Sequence, residues 1–256
     1  MCSVFFAYNA HPDYFLILAS NRDEFYSRPT LPLHRWQNSY NTANIIAGKD
    51  IENQGTWLGI TLQGRLSVLT NYREVKFKPK SPPSRGLIVT DFLSSDENIF
   101  SWGKNLELQG SLHNGFNLIF ADKQEFYYYS NRGSGIKKLE PGIYGLSNHL
   151  LDTPWPKIAQ GKKVFESLIF DESRIDIDKI FDFLQDKSKP EDTLLPDTGV
   201  GLEWERILSS LFVQSPYYGT RSSSIVLIEK VGKVTFIEQT YMDNQKKRIE
   251  FCFNIS

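Results

Sequence analysis

The order in which strand-like and helix-like apolar segments follow one another constrains the fold of this chain most strongly. Residues 2–8 and 14–20 are short apolar runs rich in β-branched and aromatic side chains, and the turn-forming residues 9–13 separate them. This arrangement predicts an N-terminal β-hairpin. Because neither run alternates cleanly between apolar and polar residues, we expect both faces of these strands to be covered.

Similar strand-like runs recur along the rest of the chain. Gln63 and Gly64 are a favourable tight-turn pair between two of them, which predicts a second hairpin. The predicted strands are 2–8, 14–20, 57–62, 65–69, 116–121, 125–130, 143–146, 223–229, 234–239 and 248–253.

Apolar residues instead recur at helical spacing in the segments between these strands. The predicted helical segments are 84–105, 155–169, 177–184 and 204–212. Thr153, ahead of Pro154, is a candidate cap for the second of them, and the Pro-, Asp- and Thr-rich segment 187–201 predicts a surface loop. Strands at both ends with helices between them favour helices packed on two stacked antiparallel sheets. The predicted fold class is α+β, an αββα sandwich in a single domain over residues 1–256.

The composition of the chain limits the classes of molecule that we expect it to bind. Charged residues make up 23% of the 256 residues and hydrophobic residues 40%, which is ordinary for a globular chain and argues against a disordered or coiled-coil protein. The formal net charge of -1 gives no general attraction to nucleic acid or anionic lipid. No segment approaches the ~20 apolar residues that cross a bilayer, and the N-terminus lacks a signal-peptide pattern. We therefore expect a cytoplasmic protein with no membrane span and no nucleic-acid partner.

The cysteine and histidine content excludes the commonest metal and disulfide frameworks. The chain has two cysteines, Cys2 and Cys252, which are too few for a disulfide-stapled domain or a four-cysteine metal site. Its four histidines show no paired metal-ligand spacing. We expect no metal site and no required cofactor.

The position of Cys2 is chemically informative. Removal of Met1 would leave a cysteine whose α-amine, with a reference pKa of ~7.7 to 8.0, can act as the base for its own thiol. The predicted hairpin brings Cys2 within reach of Asn21-Arg22-Asp23-Glu24. Arg22 could steady a thiolate or hold a substrate carboxylate, and Asp23 could bind the α-ammonium. The alternative is a small buried cysteine beside a polar strand-end turn.

Short blocks of sequence, in order from one end of the chain to the other, resemble the NRDE family of the transport and Golgi organisation type. The blocks are Met1-Cys2, Asn21-Arg22-Asp23-Glu24-Phe25-Tyr26-Ser27-Arg28-Pro29, Gly55-Thr56-Trp57-Leu58-Gly59, Thr70-Asn71-Tyr72, Ser84-Arg85-Gly86, Asn114-Gly115-Phe116-Asn117-Leu118, Gly145-Leu146-Ser147-Asn148, Asp152-Thr153-Pro154-Trp155 and Tyr218-Gly219-Thr220-Arg221. The resemblance covers nearly the whole chain. It implies a fold similar to the N-terminal nucleophile (Ntn) hydrolases, in agreement with the strand order.

Within that superfamily the chain is most similar to the choloylglycine and penicillin V acylase group. The resemblance implies Cys2 as the nucleophile in amide hydrolysis, Asp23 as the residue that orients the α-amine, and Asn71 and Asn148 as donors to the oxyanion or substrate. The acylases carry an arginine three residues before that aspartate, where this chain has Ser20. Arg22 instead adjoins Asp23, and neighbouring residues on a strand point to opposite faces, so the two are not required to share a pocket.

Several further residues are candidates for substrate binding. Arg221 is the candidate for a later essential arginine of the acylases, with Arg206 a poorer one. Trp57 and Tyr218 could line the pocket or pack structurally. A further group, Lys76, Lys78 and Lys80, is expected in a solvated loop that could meet an anionic group near the mouth of the site.

A haem carrier is the alternative function. The family resemblance also implies a role in haem trafficking and in lipid and energy metabolism. His149, a tyrosine or the Cys2 thiolate could ligate the iron. The 14% aromatic content permits an apolar slot but also suits strands and core. The expected partner is therefore a small amphipathic amide or haem as cargo.

Overall fold

The strands form two antiparallel sheets that share one apolar core. The computed structural model describes residues 2–36, 44–75, 79, 81–170, 174–242 and 245–255. The strands are β1 (Cys2–Tyr8), β2 (Tyr14–Phe25), β3 (Thr30–Arg35), β4 (Ile45–Asp50), β5 (Leu58–Thr61), β6 (Leu66–Asn71), β7 (Phe116–Ala121), β8 (Phe126–Ser130), β9 (Lys137–Lys138), β10 (Gly142–Leu146), β11 (Tyr218–Glu229), β12 (Lys233–Met242) and β13 (Gln245–Asn254). A six-stranded sheet has the order β10-β1-β2-β11-β12-β13, and a seven-stranded sheet runs from β3 to β9 in sequence order.

Helices cover the outer face of each sheet. The helices in these layers are α1 (Gly86–Ser94), α2 (Ile99–Gln109), α3 (Pro156–Phe170) and α4 (Ile177–Leu184). A short helix, α5 (Leu202–Ile207), precedes β11. One apolar cluster joins α1 and α2 to the seven-stranded sheet, and another joins α3 and α4 to the six-stranded sheet. The layers are therefore helix, sheet, sheet and helix, which confirms the predicted αββα sandwich.

Strand β1 shows why its sequence lacks clean alternation. Val4 and Phe6 lie in the core between the two sheets, whereas Phe5 and Ala7 face the α3 and α4 layer. All four are essentially inaccessible to solvent. Both sets of alternate side chains are thus apolar, as predicted for a strand that is covered on both faces.

Both predicted hairpins are present. In the first, β1 and β2 pair antiparallel with Cys2 opposite Arg22. In the second, β5 and β6 are joined through a turn in which the Gly64 amide donates to the Thr61 carbonyl at 3.0 Å. Gly64 has a φ of +89°, a conformation that favours glycine.

Three strands escaped the sequence prediction: β3, β4 and the two-residue β9. Pro32 interrupts β3 and is normally incompatible with a central strand. The structure accommodates it because β3 is the edge strand of its sheet and its register with β4 shifts between Leu31 and His34. The second missed strand, β4, is short and ends in polar residues. Its run of apolar residues is therefore too short to be recognised as a strand from the sequence.

The predicted helix boundaries were wrong in three places. The segment predicted as helical over 84–105 forms two helices, α1 and α2, with residues 95–98 between them. The segment predicted as a helix over 204–212 is helical only in α5, because the chain turns after Ile207 to bring Val213 against Thr220 of β11. Thr153 is not the cap of α3, which begins at Pro156. The Thr153 hydroxyl instead bonds Nδ1 of His149 at 2.9 Å.

Candidate active site

Three adjacent strands bring the candidate nucleophile and its neighbours to one end of the six-stranded sheet. Cys2 at the start of β1 lies opposite Arg22 of β2, and Asp23 lies opposite Thr220 of β11. The Thr220 hydroxyl donates to Oδ1 of Asp23 at 2.7 Å. Ser147, which follows β10, donates its hydroxyl to the Cys2 carbonyl at 3.2 Å. The end of β1 is therefore tied to the strands on both sides.

The Cys2 thiol is held in its protonated form. Burial raises its pKa above the ordinary value, the Asp23 carboxylate raises it further, and the Arg22 guanidinium acts in the opposite direction. A thiol in this state is a weak nucleophile at neutral pH, since the thiolate is the reactive form. Chemistry at Cys2 therefore requires a base.

Asp23 is an almost fully buried carboxylate, with 2% of its surface exposed. Burial raises its pKa, whereas the positive charge of Lys157 and the hydrogen bond from Thr220 lower it. Tyr218 supports the same residue from β11, because its hydroxyl donates to the Asp23 carbonyl at 2.9 Å. Burial also raises the pKa of Tyr218 well above its ordinary value, which keeps this hydroxyl a donor.

A buried group of charged residues lies behind Asp23. Lys157, in the first turn of α3, is partly exposed as a residue, but burial of its ammonium lowers its pKa to about 8, and nearby Arg73 lowers it as well. Its Nζ donates to the Leu208 carbonyl at 2.9 Å. Arg73 forms an ion pair of 2.6 Å with Glu205, and both side chains are almost completely buried.

These charged residues escaped the sequence analysis. Arg73 directly follows the block Thr70-Asn71-Tyr72, and Lys157 follows the block that ends at Trp155. Their adjacency to those blocks is a signal that could have found them. Glu205 has no such signal, because it lies in the short helix α5, far in sequence from these blocks.

A polar pocket of ≈ 280 Å³ opens beside Cys2. Its lining comes from the ends of β1 and β2, the segment before β5, the end of β6 and the start of α1. The lining residues are Cys2, Arg22, Asp23, Glu24, Arg28, Asp50, Asn53, Thr56, Trp57, Leu69, Asn71, Pro82, Pro83, Ser84, Arg85, Gly86 and Asn114. The pocket therefore gathers residues from both sheets and from α1.

Five of the predicted site residues line this one pocket: Cys2, Arg22, Asp23, Trp57 and Asn71. Arg22 and Asp23 share it although they are neighbours on a strand. The pocket wraps around the end of β2, where the pairing with β11 has an irregular register between Thr220 and Ser222. Arg22 lies with its guanidinium carbon 4.1 Å from the centre of the Trp57 ring.

Asn148 supports the pocket from behind. It is fully buried, and its Nδ2 donates to the Asn71 carbonyl at 2.9 Å. Its Oδ1 accepts from the Ser147 hydroxyl at 3.2 Å and from Arg73 at 3.4 Å. In this arrangement Asn148 fixes the Asn71 backbone, so Asn71 is the better placed of the two asparagines to meet a substrate.

The remaining predicted binding residues lie elsewhere. Arg221 lines a separate cavity of ≈ 560 Å³, and its Nη1 donates to the carbonyls of Phe25 and Arg28. His149 packs its ring 4.9 Å from that of Tyr72 and bonds Thr153. Arg206 forms an ion pair with Asp192 at the surface. The structure therefore does not bring these residues to the Cys2 pocket.

Arg85 and Asn114 line the pocket but were not predicted as site residues, although both lie in sequence blocks that carry the family resemblance. Arg85 directly precedes α1, and its Nη1 donates to the Gly115 carbonyl at 2.8 Å. The side-chain oxygen of Asn114 is buried, with no hydrogen-bond partner among the described residues. The predicted loop residues Lys76, Lys78 and Lys80, and Met1, lie outside the described residues.

Within the described ranges, no group of three or more His, Cys, Asp and Glu side chains is placed to hold a metal ion. No helix in the same part of the chain is long and apolar enough to cross a bilayer.

Comparison with known proteins identifies a family for this chain and solved structures that share its fold. The model of the family described as Transport and Golgi organisation 2 matches residues 1–243. The Homo sapiens protein named Transport and Golgi organization protein 2 homolog is 39% identical over 95% of this chain and 94% of its own length. The Drosophila melanogaster protein named Transport and Golgi organization protein 2 is 28% identical over 94% of this chain and 92% of its own.

Solved structures of two Ntn hydrolases share the fold. A conjugated bile acid hydrolase from Clostridium perfringens, solved as its C2A mutant, has a TM-score of 0.53 at 10% identity, over 98% of this chain and 92% of that one. The Caenorhabditis elegans ortholog of N-acylethanolamine-hydrolyzing acid amidase has a TM-score of 0.50 at 12% identity, over 88% of this chain and 92% of that one. At such low identity the likeness concerns the fold alone.

Proposed function

The chain belongs to the transport and Golgi organisation 2 family and has the Ntn-hydrolase fold, and on that basis we propose that Cys2 is an N-terminal nucleophile. In this proposal, removal of Met1 exposes the Cys2 α-amine, and the protein then hydrolyses the C–N bond of a small amphipathic amide. The observation that carries the proposal is the position of Cys2 in a pocket that also contains Arg22, Asp23 and Asn71.

The first half of the proposed reaction forms a thioester. The α-amine takes the thiol proton, and Sγ of Cys2 attacks the carbonyl carbon of the amide. The Asn71 amide donates to the oxyanion of the tetrahedral intermediate. The C–N bond then breaks, and the leaving amine takes the proton from the α-ammonium. Asp23, held by Thr220, is the proposed partner that orients the α-ammonium.

The second half releases the acid. Water attacks the thioester carbonyl while the α-amine takes a proton from that water. The C–S bond breaks, the carboxylic acid leaves, and the proton returns to Sγ. Because burial holds the pKa of the Cys2 thiol high, a base beside it is needed in the first step.

The test combines intact mass measurement with a reactive ester. We expect the native protein to lack Met1 and to release a stoichiometric burst of nitrophenolate from p-nitrophenyl acetate, with one acetyl group on Cys2. Cys2→Ala should abolish the burst. The matched control is Cys252→Ala, which removes an exposed cysteine of β13 and should leave the burst unchanged. No acetyl adduct on Cys2 in the processed protein would refute the proposal.

A form of the protein that carries one additional residue ahead of Cys2 tests whether the Cys2 α-amine is the base. Its α-amine no longer belongs to Cys2, so we expect at least a tenfold slower burst. An equal burst in the blocked and processed forms would mean that the α-amine is not the base.

Haem carriage in the same cleft is the alternative proposal. The Cys2 thiol in the pocket favours it, since a cysteine thiolate is a known haem ligand. A carrier predicts saturable, near-stoichiometric haem absorbance in a titration of the wild-type protein. The same titration of Cys2→Ala shows whether the thiol is the ligand, and a linear, unsaturable response would exclude the carrier.

A further inference from the structure

The cavity that contains Arg221 is separate from the Cys2 pocket and larger than it. Its volume of ≈ 560 Å³ falls within the usual range for sites that hold small molecules. Its lining comes from the segment that follows α4, the segment that precedes β11, the start of β11 and the hairpin of β12 and β13. The two cavities share no lining residue among the described ones. The reaction proposed for Cys2 therefore gives this second cavity no role.

The charged side chains that line this second cavity are all positive. They are Lys187, Arg221 and Lys246, and none of the three forms an ion pair within the described part of the chain. Burial and the charge of Arg22 lower the pKa of Arg221 despite the carboxylate of Glu24, which lines the Cys2 pocket instead. A concave surface that carries charge of one sign focuses the electrostatic field and attracts ions of the opposite sign. The cavity is therefore suited to an anion.

Arg221 is held in place by one end of its guanidinium. Its Nη1 donates to the carbonyls of Phe25 and Arg28 at 2.9 and 3.0 Å. Its Nε and Nη2 donate to no acceptor in the described ranges. These two nitrogens form the edge of a guanidinium that binds a phosphate or carboxylate through two parallel hydrogen bonds. The backbone contacts therefore fix Arg221 and leave its anion-binding edge available.

Aromatic rings form another part of the lining. Phe212 meets Tyr241 edge to face, with ring centres 4.9 Å apart. The Tyr241 hydroxyl shares a hydrogen bond of 2.9 Å with the Ser223 hydroxyl and accepts from Nε2 of Gln239 at 3.0 Å. Nζ of Lys187 lies 5.5 Å from the centre of the Phe212 ring. Fixed rings with a cation beside them suit a ligand in which a flat ring carries an anionic group.

The number of positive charges favours phosphate over carboxylate. A carboxylate carries one negative charge and would compensate one of the three cations. A phosphate monoester carries about −1.5 to −2 charge at pH 7 and has three strong acceptor oxygens. It therefore matches both the charge of the cavity and the several donors that surround it.

We propose that this cavity binds a small phosphate monoester of an aromatic compound, with Arg221, Lys187 and Lys246 around the phosphate and Phe212 and Tyr241 against the ring. The site goes beyond the proposed function, because it uses none of the described residues that line the Cys2 pocket.

Isothermal titration with three compounds tests the charge and the ring separately. Phenyl phosphate has both, inorganic phosphate lacks the ring, and phenol lacks the charge. We expect phenyl phosphate to bind at least tenfold more tightly than either of the other two. An affinity for phenyl phosphate that equals that for inorganic phosphate or that for phenol would overturn the inference.

Variants of the lining residues locate the ligand. Arg221→Gln should weaken phenyl phosphate binding at least tenfold, and Lys187→Gln, which changes an exposed side chain, should weaken it several-fold. The matched control is Lys189→Gln, which removes an exposed charge of the same loop outside this cavity and should leave the affinity unchanged. Phe212→Leu should weaken binding of phenyl phosphate but not of inorganic phosphate. Unchanged affinity in both Arg221→Gln and Lys187→Gln would refute the inference.

Cys2→Ala separates this site from the proposed active site. We expect this variant to lose the acetylation burst and to bind phenyl phosphate as tightly as the wild-type protein. Loss of phenyl phosphate binding in Cys2→Ala would place the ligand in the Cys2 pocket and contradict a second site.

Discussion

At the scale of single residues, the candidate site depends on how buried charges are compensated. Asp23 lies within the influence of Lys157, and Arg73 lies against Glu205 at 2.6 Å. Removing one partner of such a pair leaves an uncompensated charge in a poorly solvated place, which is strongly destabilising. We therefore expect the buried charges behind Asp23 to fix the position of the end of β2 and to adjust the pKa of Asp23.

The lowered pKa of Lys157 predicts a particular pH dependence. Its ordinary value of 10.5 applies to the unfolded chain, and the folded value is about 8. Between these values the unfolded chain binds more protons, so Lys157 makes the free energy of unfolding rise with pH. We expect this rise to be about 2 kcal/mol between pH 7 and 9.5, and Lys157→Met should lose it.

Urea unfolding of both proteins across that range measures the difference. Lys163→Met is the control, since Lys163 is exposed on the same helix. Its stability curve should parallel that of the wild-type protein. Parallel curves for wild type and Lys157→Met would show that the Lys157 ammonium is not desolvated.

At the scale of elements, α3 packs closely against the six-stranded sheet at Gly161. A Cβ at Gly161 would lie 2.4 Å from the ring of Phe5, which is fully buried in the core between β1 and the helices. The close approach sets the height of α3 above the sheet. It thereby sets the position of Lys157, one turn earlier in the same helix.

In Gly161→Ala, the higher helix propensity of alanine and the tight packing against Phe5 should change the free energy of unfolding in opposite directions. Alanine favours an exposed helix interior by about 1 kcal/mol over glycine. Here the clash with a buried ring that has little room to move should outweigh that gain, and we expect a net destabilisation of about 1–3 kcal/mol.

Thermal and urea unfolding would measure the change in Gly161→Ala. The exposed neighbour Gln160 provides a control, because Gln160→Ala should change stability by less than about 0.5 kcal/mol. Stabilisation by Gly161→Ala would mean that α3 is not held by contact with Phe5.

At the scale of the whole molecule, a buried polar contact joins the two sheets in addition to their apolar packing. Glu238 of β12, in the six-stranded sheet, accepts from the Leu33 amide of β3, in the seven-stranded sheet, at 2.7 Å. Burial raises the pKa of Glu238 above its ordinary value of 4.5. Between these two values the folded protein binds more protons than the unfolded chain, so this residue makes stability fall as pH rises.

Glu238→Gln should therefore stabilise the protein at neutral pH. Glutamine keeps an acceptor for the Leu33 amide and removes the buried negative charge. The gain should shrink as pH falls toward 4.5, because the wild-type carboxyl then binds its proton in the folded state and is half protonated in the unfolded chain. Chemical denaturation at pH 7 and pH 4.5 provides the comparison, and a gain that is equal at both pH values would contradict the raised pKa.

The features that depend on local patterns of residues could be predicted before the structure was known. Apolar runs with both faces covered predicted β1 and β2, and their hairpin was expected to bring Cys2 within reach of Arg22. The structure supplies the register, in which the two residues lie directly opposite each other. The order of strands and helices indicated the αββα layers. Pro32 hid β3 because a strand at a sheet edge can tolerate a residue that a central strand cannot.

The side chains that come from distant parts of the sequence to complete the site could be identified only from the packed fold. Thr220 and Asp23 are 197 residues apart in sequence, and Arg73 and Glu205 are 132 apart. Local periodicity carries no information about such pairs, since they meet only when the sheets and helices have packed. The same packing placed Arg85 beside Cys2 and directed Arg221 into another cavity. The candidate nucleophile was therefore predictable from its place in the sequence, whereas the groups proposed to bind a substrate depend on the assembled fold.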